Sequence, residues 1–285
     1  MSDSLMVIGT GTMGAGIAQV AALAGCTVHL NDRNPAAVSA AISRISSSLE
    51  KSVAGNFLTR EEAEAARARL HPAGDLAPAA GCFAIIEAVK EDPSVKAEVF
   101  RQIEAAAEPE AWILTNTSML SISDLARALN CPARFCGLHF FNPVRRMKLV
   151  EIIPGRLTDP AVTRGVTDLA RRLGKEPVLA PDSPGFIVNR VFDAIKRESL
   201  HLLEEGVAPA EIDRALKLGL SFPMGPFELM DLIGLDTTYD CLINQARQMG
   251  RPENFGPVLP ALVASGKTGR KAGEGFFTYP TPSST

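Results

Sequence analysis

The feature that most constrains this chain is Gly9-Thr10-Gly11-Thr12-Met13-Gly14, which directly follows the apolar run Leu5 to Ile8 and opens an alanine-rich helical pattern at Met13. Three glycines at that spacing between a strand and a helix have separate tasks. The first permits a tight turn, and the second lets backbone approach a pyrophosphate. The third lets the helix lie close to its strand with its N-terminus facing the phosphates. A second strand, Thr27 to Leu30, leads to Asp32, where a carboxylate accepts hydrogen bonds from an adenosine ribose and repels a 2′-phosphate. The expected cofactor is therefore NAD, although Arg33 beside the acid is suited to a phosphate.

Apolar runs continue at Phe83 to Ile86, Trp112 to Leu114, Phe135 to Leu138, Lys148 to Ile153 and Glu176 to Leu179, with helices beginning near Pro35, Pro93, Ser121 and Pro160 between them. That alternation predicts a parallel sheet covered by helices, a Rossmann-type domain over residues 1–182. After Pro181-Asp182-Ser183-Pro184-Gly185 the periodicity is helical throughout, at Phe186 to Glu205, Pro209 to Leu218, Phe227 to Ile233, Asp236 to Gln248 and Pro257 to Val263. The expectation is an α/β fold in which a Rossmann-type dinucleotide-binding domain precedes an all-α C-terminal domain, residues 183–285.

Composition narrows the partners. A net charge of −3 gives no general attraction to nucleic acid or an anionic membrane, so neither is expected. The five cysteines are odd in number and include no C-x-x-C, which excludes a disulfide framework and a zinc knuckle; no metal is expected, and a reducing cytoplasm fits. Ser4 to Asn31 carries no Asp, Glu, Lys or Arg, yet five glycines interrupt it and no basic residue precedes it, so it reads as buried strand and helix and not as a membrane span or signal peptide. Gly266-Lys267-Thr268 lacks the upstream glycine and strand of a P-loop, and Asn116-Thr117-Ser118 reads as a polar strand end, not a glycosylation site.

Hydride transfer from a carbinol carbon needs an acid-base group. Of four histidines, His29, His71 and His201 lack polar company along the chain, whereas His139 ends a predicted strand and Glu151 lies on the next. Neighbouring strands could place that carboxylate behind the imidazole, fixing its tautomer and leaving the other ring nitrogen to take a hydroxyl proton. Asn116 to Ser118 and Asn189 add uncharged hydrogen-bonding groups.

The chain resembles the L-3-hydroxyacyl-CoA dehydrogenase family, including 3-hydroxybutyryl-CoA dehydrogenases. The likeness rests on seven ordered blocks: Gly9 to Gln19, Ile86 to Lys96, Asn116 to Ser118, His139 to Ile152, Ser183 to Arg190, Phe222 to Thr238 and Lys271 to Phe276. It implies NAD-dependent interconversion of (3S)-3-hydroxyacyl and 3-oxoacyl thioesters, with His139 as general acid/base and Glu151 as its orienting partner. It further implies that Ser118 and Asn189 hold the substrate oxygen and that Ser48 binds substrate. Glu91, Lys96, Ser118, Asn142 and Lys271 would join Gly9, Gly11, Thr12, Met13, Gly14 and Asp32 around NAD. A homodimer formed through the helical domain is also implied.

Several positions depart from that pattern. A lysine expected near Gly55 is missing, Arg145-Arg146 replaces an apolar or proline-containing pair, Lys196-Arg197 adds charge past Asn189, and Met119 replaces a serine. The extra cations compensate for the lysine only if they face the cleft mouth. They would otherwise suit an acidic acyl carrier protein, so a carrier-protein thioester is the alternative to acyl-CoA. A sugar-acid dehydrogenase and an idle NAD-binding structural relative are further alternatives.

Overall fold

In the computed structural model, which describes residues 3–280, the apolar runs of the first half form one eight-stranded sheet ordered β3-β2-β1-β4-β5-β6-β7-β8. In chain order its elements are β1 (Ser4–Ile8), α1 (Thr12–Leu23), β2 (Thr27–Asn31), α2 (Pro35–Ala54), α3 (Arg60–Ala68) and β3 (Leu70–Pro72). They continue with β4 (Ala84–Glu87), α4 (Pro93–Ala106), β5 (Trp112–Thr115), α5 (Ile122–Leu125), β6 (Phe135–Phe140), β7 (Leu149–Pro154), α6 (Pro160–Arg172) and β8 (Glu176–Leu179). The chain divides into two compact units between Phe186 and Ile187.

β1 pairs with β2 on one side and β4 on the other, so the strand order reverses there and opens a crevice at the strands' C-terminal ends. α1 covers β1 with small residues: Ile17, Ala18 and Ala21 pack with Leu5, Val7, Val28 and Leu30 in one core. Burying each of the larger side chains contributes roughly 1.5–3 kcal/mol relative to exposure. Three helices begin alike, with Asn34, Asp92 or Asp159 accepting a first-turn N–H and a proline following in the first helical position.

The structure departs from the sequence reading in two places. α3 and β3 were not expected, because α3 is mostly charged and β3 has three residues; the local signal was the reciprocal cap of Thr59 and Glu62. The sheet is also not wholly parallel, since β6 and β7 run antiparallel. The connection from Phe141 to Lys148 is too short for a parallel crossover.

The second unit is helical, with α7 (Val188–Glu204), α8 (Pro209–Leu220), α9 (Pro226–Ile233), α10 (Leu235–Gln248) and α11 (Val258–Ala264). Leu200, Phe227, Met230, Leu242 and Leu259 form its core. Two buried carboxylates organise it. Asp213 accepts the N–H groups of Phe227 and Glu228 at the start of α9, and Asp231 accepts those of Phe276 and Phe277 together with the Tyr279 hydroxyl. No described helix is long and apolar enough to cross a membrane.

A Cβ on Gly14 would lie 1.8 Å from the Gly9 carbonyl oxygen, so α1 cannot keep its place above β1 with any side chain there. Gly14→Ala should destabilise the protein by about 2–4 kcal/mol, read as a lower Tm, and should also abolish NADH binding. An unchanged melting curve would contradict this packing.

Candidate active site

The glycine loop is built as its spacing predicts. Gly9 has φ +90°, and a Cβ there would meet the Ala88 carbonyl oxygen at 2.6 Å, whereas a Cβ on Gly11 would touch nothing within 4 Å. Gly11 is the N-cap of α1, and no side chain caps that helix, so Thr12 and Met13 begin it with its positive end open to an anion.

Asp32 stands at one side of this loop. Its Oδ2 accepts the Thr10 N–H at 2.8 Å and the Thr10 hydroxyl at 3.1 Å, and its Oδ1 accepts the Asn34 N–H at 3.1 Å. Partial burial raises the carboxyl, but the bonds from Thr10 and Asn34 outweigh it and hold the group below the ordinary aspartate range. Beside it opens a cleft of ≈ 410 Å³ lined by Gly9, Gly11, Arg33 and the apolar Leu76, Val95 and Val99. That cleft suits a flat base and its ribose. The sequence reading missed these three apolar residues; Val95 and Val99 lie at i, i+4 on α4, but nothing local ties Leu76 to them.

Across the crevice, at the ends of β4 and β5, charge is buried. Lys96 is 1 % exposed, and its ammonium lies 2.6 Å from Glu87 and 3.2 Å from Glu91. Glu91 Oε1 accepts the Thr117 hydroxyl at 2.5 Å, the Ser118 N–H at 2.8 Å and the Met119 N–H at 3.2 Å. Burial works against ionisation of Glu91, but Lys96 and the donors of Thr117 and Ser118 more than offset it, leaving the carboxyl below the usual glutamate range. Glu87 was not singled out from the sequence. It ends an apolar strand, and only the fold reveals that Lys96 reaches back to it.

His139 and Glu151 are directly opposed in the antiparallel β6–β7 register. His139 Nδ1 lies 2.8 Å from Glu151 Oε2, with the residues 5 % and 1 % exposed. Phe141 and Phe186 place their rings 4.5 and 5.7 Å from the imidazole. Asn116 Oδ1 accepts the Phe140 N–H at 2.9 Å, which ties the end of β5 to the strand carrying the histidine. Asn142 lies on the exposed turn after β6.

The remaining expected residues are placed as follows. Ser48 accepts a hydrogen bond from Gln19 at 3.1 Å. Asn189 lies in the first turn of α7, and Lys271 pairs with both oxygens of Asp236 at 2.6 and 2.7 Å within the helical unit. His201, expected to lack polar company, lies 3.7 Å from Glu198 on an exposed helix face. Of the extra cations, Lys196 is buried against Asp193 and Arg197 stacks on Phe255 at 4.8 Å, while Arg145 donates to Ser52 at 2.9 Å.

Residues 4–183 match the 3-hydroxyacyl-CoA dehydrogenase NAD-binding domain, and residues 185–279 match the C-terminal domain of the same family. The chain belongs to the 3-hydroxyacyl-CoA dehydrogenase family. It is 40% identical over 278 residues to a probable 3-hydroxybutyryl-CoA dehydrogenase of Deinococcus radiodurans, covering 96% of this chain and 99% of that one. To the mitochondrial hydroxyacyl-coenzyme A dehydrogenase of Sus scrofa it is 40% identical, covering 96% and 90%. The crystal structure of (S)-3-hydroxybutyryl-CoA dehydrogenase from Ralstonia eutropha superposes with a TM-score of 0.94 at 35% identity, covering 99% and 100%. NAD is the cofactor of this dehydrogenase family, and the open Gly11, the uncapped start of α1 and the apolar slot beside Asp32 fit it.

Asp32 already accepts three donors and stands where a 2′-phosphate would lie, so NADP should bind much more weakly than NAD. Asp32→Ser, with Arg33 left to meet the phosphate, should narrow the NAD preference by about tenfold or more in kcat/KM. Equal kcat/KM for the two cofactors in the wild type would refute the role given to Asp32.

Proposed function

We propose that this chain is an NAD-dependent dehydrogenase that interconverts a (3S)-3-hydroxyacyl thioester and its 3-oxoacyl product, with coenzyme A as the carrier. The observation that carries the reading is the buried His139–Glu151 pair, built into the same sheet as the dinucleotide loop. NAD, when bound, supplies the acceptor for the hydride leaving C3.

The protein's own part is proton transfer and positioning. Glu151 accepts a hydrogen bond from His139 Nδ1–H, which fixes the tautomer and leaves Nε2 as the base for the C3 hydroxyl. As His139 becomes cationic, the carboxylate 2.8 Å away stabilises it in surroundings that water does not screen. Ser118, whose N–H is fixed on Glu91, and Asn189 are assigned to the substrate oxygen by the family resemblance. The 1–182 segment is assigned to NAD and the 183–285 segment to substrate and to pairing as a homodimer in the cytoplasm.

Coenzyme A is preferred to an acyl carrier protein because two of the four extra cations are unavailable to an acidic partner: Lys196 is spent on Asp193 and Arg197 on Phe255. Arg145 instead lies against α2, the helix that carries Ser48.

His139→Gln should lower kcat by roughly 10²- to 10⁴-fold with NADH affinity nearly unchanged, measured by NADH oxidation with acetoacetyl-CoA. Unchanged turnover would remove His139 from the chemistry. Comparing acetoacetyl-CoA, acetoacetyl-pantetheine and an acyl carrier protein thioester should favour the CoA substrate over pantetheine by at least about tenfold in kcat/KM. Parity between those two with a much better carrier-protein thioester would replace coenzyme A as the carrier.

A further inference from the structure

The charges at the ends of β4 and β5, two of them buried, do not cancel. Glu87, 0 % exposed, accepts from Lys96 Nζ at 2.6 Å, the Val89 N–H at 2.7 Å and the Thr115 hydroxyl at 2.6 Å. All three of these groups donate to the Glu87 carboxylate. The same ammonium also serves Glu91, whose other oxygen collects Thr117, Ser118 and Met119. One lysine therefore faces two carboxylates, and the group carries a single net negative charge.

This group lies on the far side of the strand-order reversal from Asp32. A dinucleotide with its adenosine ribose at Asp32 and its pyrophosphate at Gly11 has to place its second ribose and base toward the ends of β4 and β5. The nicotinamide ring is cationic when oxidised and neutral when reduced. A fixed negative charge beside it therefore attracts the two forms unequally, and the burial of Glu87 and Lys96 reduces solvent screening of that difference.

We propose that Glu87, which the protein keeps out of contact with any ligand, is an electrostatic positioning residue: its charge makes the Glu87–Lys96–Glu91 group net negative and thereby biases the site toward oxidised over reduced NAD. The inference rests on the reading of this crevice as an NAD site. Glu87 has a second effect through the same path, because Lys96 anchors Glu91 and Glu91 sets the backbone of Ser118.

The test separates charge from shape. Glu87→Gln keeps an acceptor for Lys96 and Val89 while removing the charge, and Thr115→Val removes a hydrogen bond to Glu87 while keeping the charge. Affinities are measured for NAD+ by calorimetry and for NADH by fluorescence. Glu87→Gln should raise the ratio of the NAD+ Kd to the NADH Kd by about tenfold. Thr115→Val should leave that ratio as in the wild type. Glu91→Gln, at the more exposed member of the group, removes the same charge and must move the ratio in the same direction, which decides the matter if Glu87→Gln does not fold. A variant that weakens both forms equally shows a structural role only and overturns the inference. A wild type that binds neither form would overturn the NAD reading itself.

Discussion

α1 lies so close to β1 that the carbonyl oxygen of Gly9 occupies the space where residue 14 would carry a Cβ. Several features of the crevice depend on that approach. It brings the open end of α1 level with the end of β1, and it lets Asp32 at the end of β2 reach back to Thr10. It also leaves Gly11 as the exposed floor of the turn. Alanines along α1 allow the approach, since a helix of larger residues would stand further from the sheet. The cofactor half of the site is thus a consequence of backbone proximity, with few side chains needed to shape it.

The half of the crevice that carries His139 is built on a different principle, the burial of charge with its partners. Removing an ion pair from water costs several kcal/mol per ion unless geometry and further hydrogen bonds offset it. Both buried clusters meet that condition. Glu151 and His139 are opposed by strand register, and Glu87 has Lys96, Thr115 and the Val89 amide around it. Hydrophobic residues in these places would make as stable a fold, so the charges answer to chemistry at the crevice more than to stability.

The elements that depend on local pattern were legible in the sequence. The strand runs, the Asn-Pro and Asp-Pro helix starts and the glycine loop each carry their signal within a few residues. His139 and Glu151 could be paired because both sit on adjacent predicted strands. Two local features went unread and one long-range one could not be read. The antiparallel turn after β6 depends on how short the connection is. α3 hides its helix in charged residues. Whether Lys96 or Lys271 is buried depends on which carboxylate the fold delivers, a solitary Glu87 at a strand end in one case and Asp236 at the head of a helix in the other.

Arg145 shows how a charge can be fixed beside α2 away from the His139–Glu151 pair. Lys175 is buried with no carboxylate partner among the described residues, donating to the carbonyls of Val144 and Met147, and burial holds its ammonium below the usual lysine range. It therefore secures from beneath the turn that carries Arg145 and Arg146. With that turn held, Arg145 reaches Ser52, and Ser52 in turn donates to the Ser48 carbonyl one helical turn earlier. Gly55 caps the same helix. Arg145 thus adds a positive charge beside the end of α2, where Lys51 already lies, from a different segment anchored by a hydroxyl and a buried lysine.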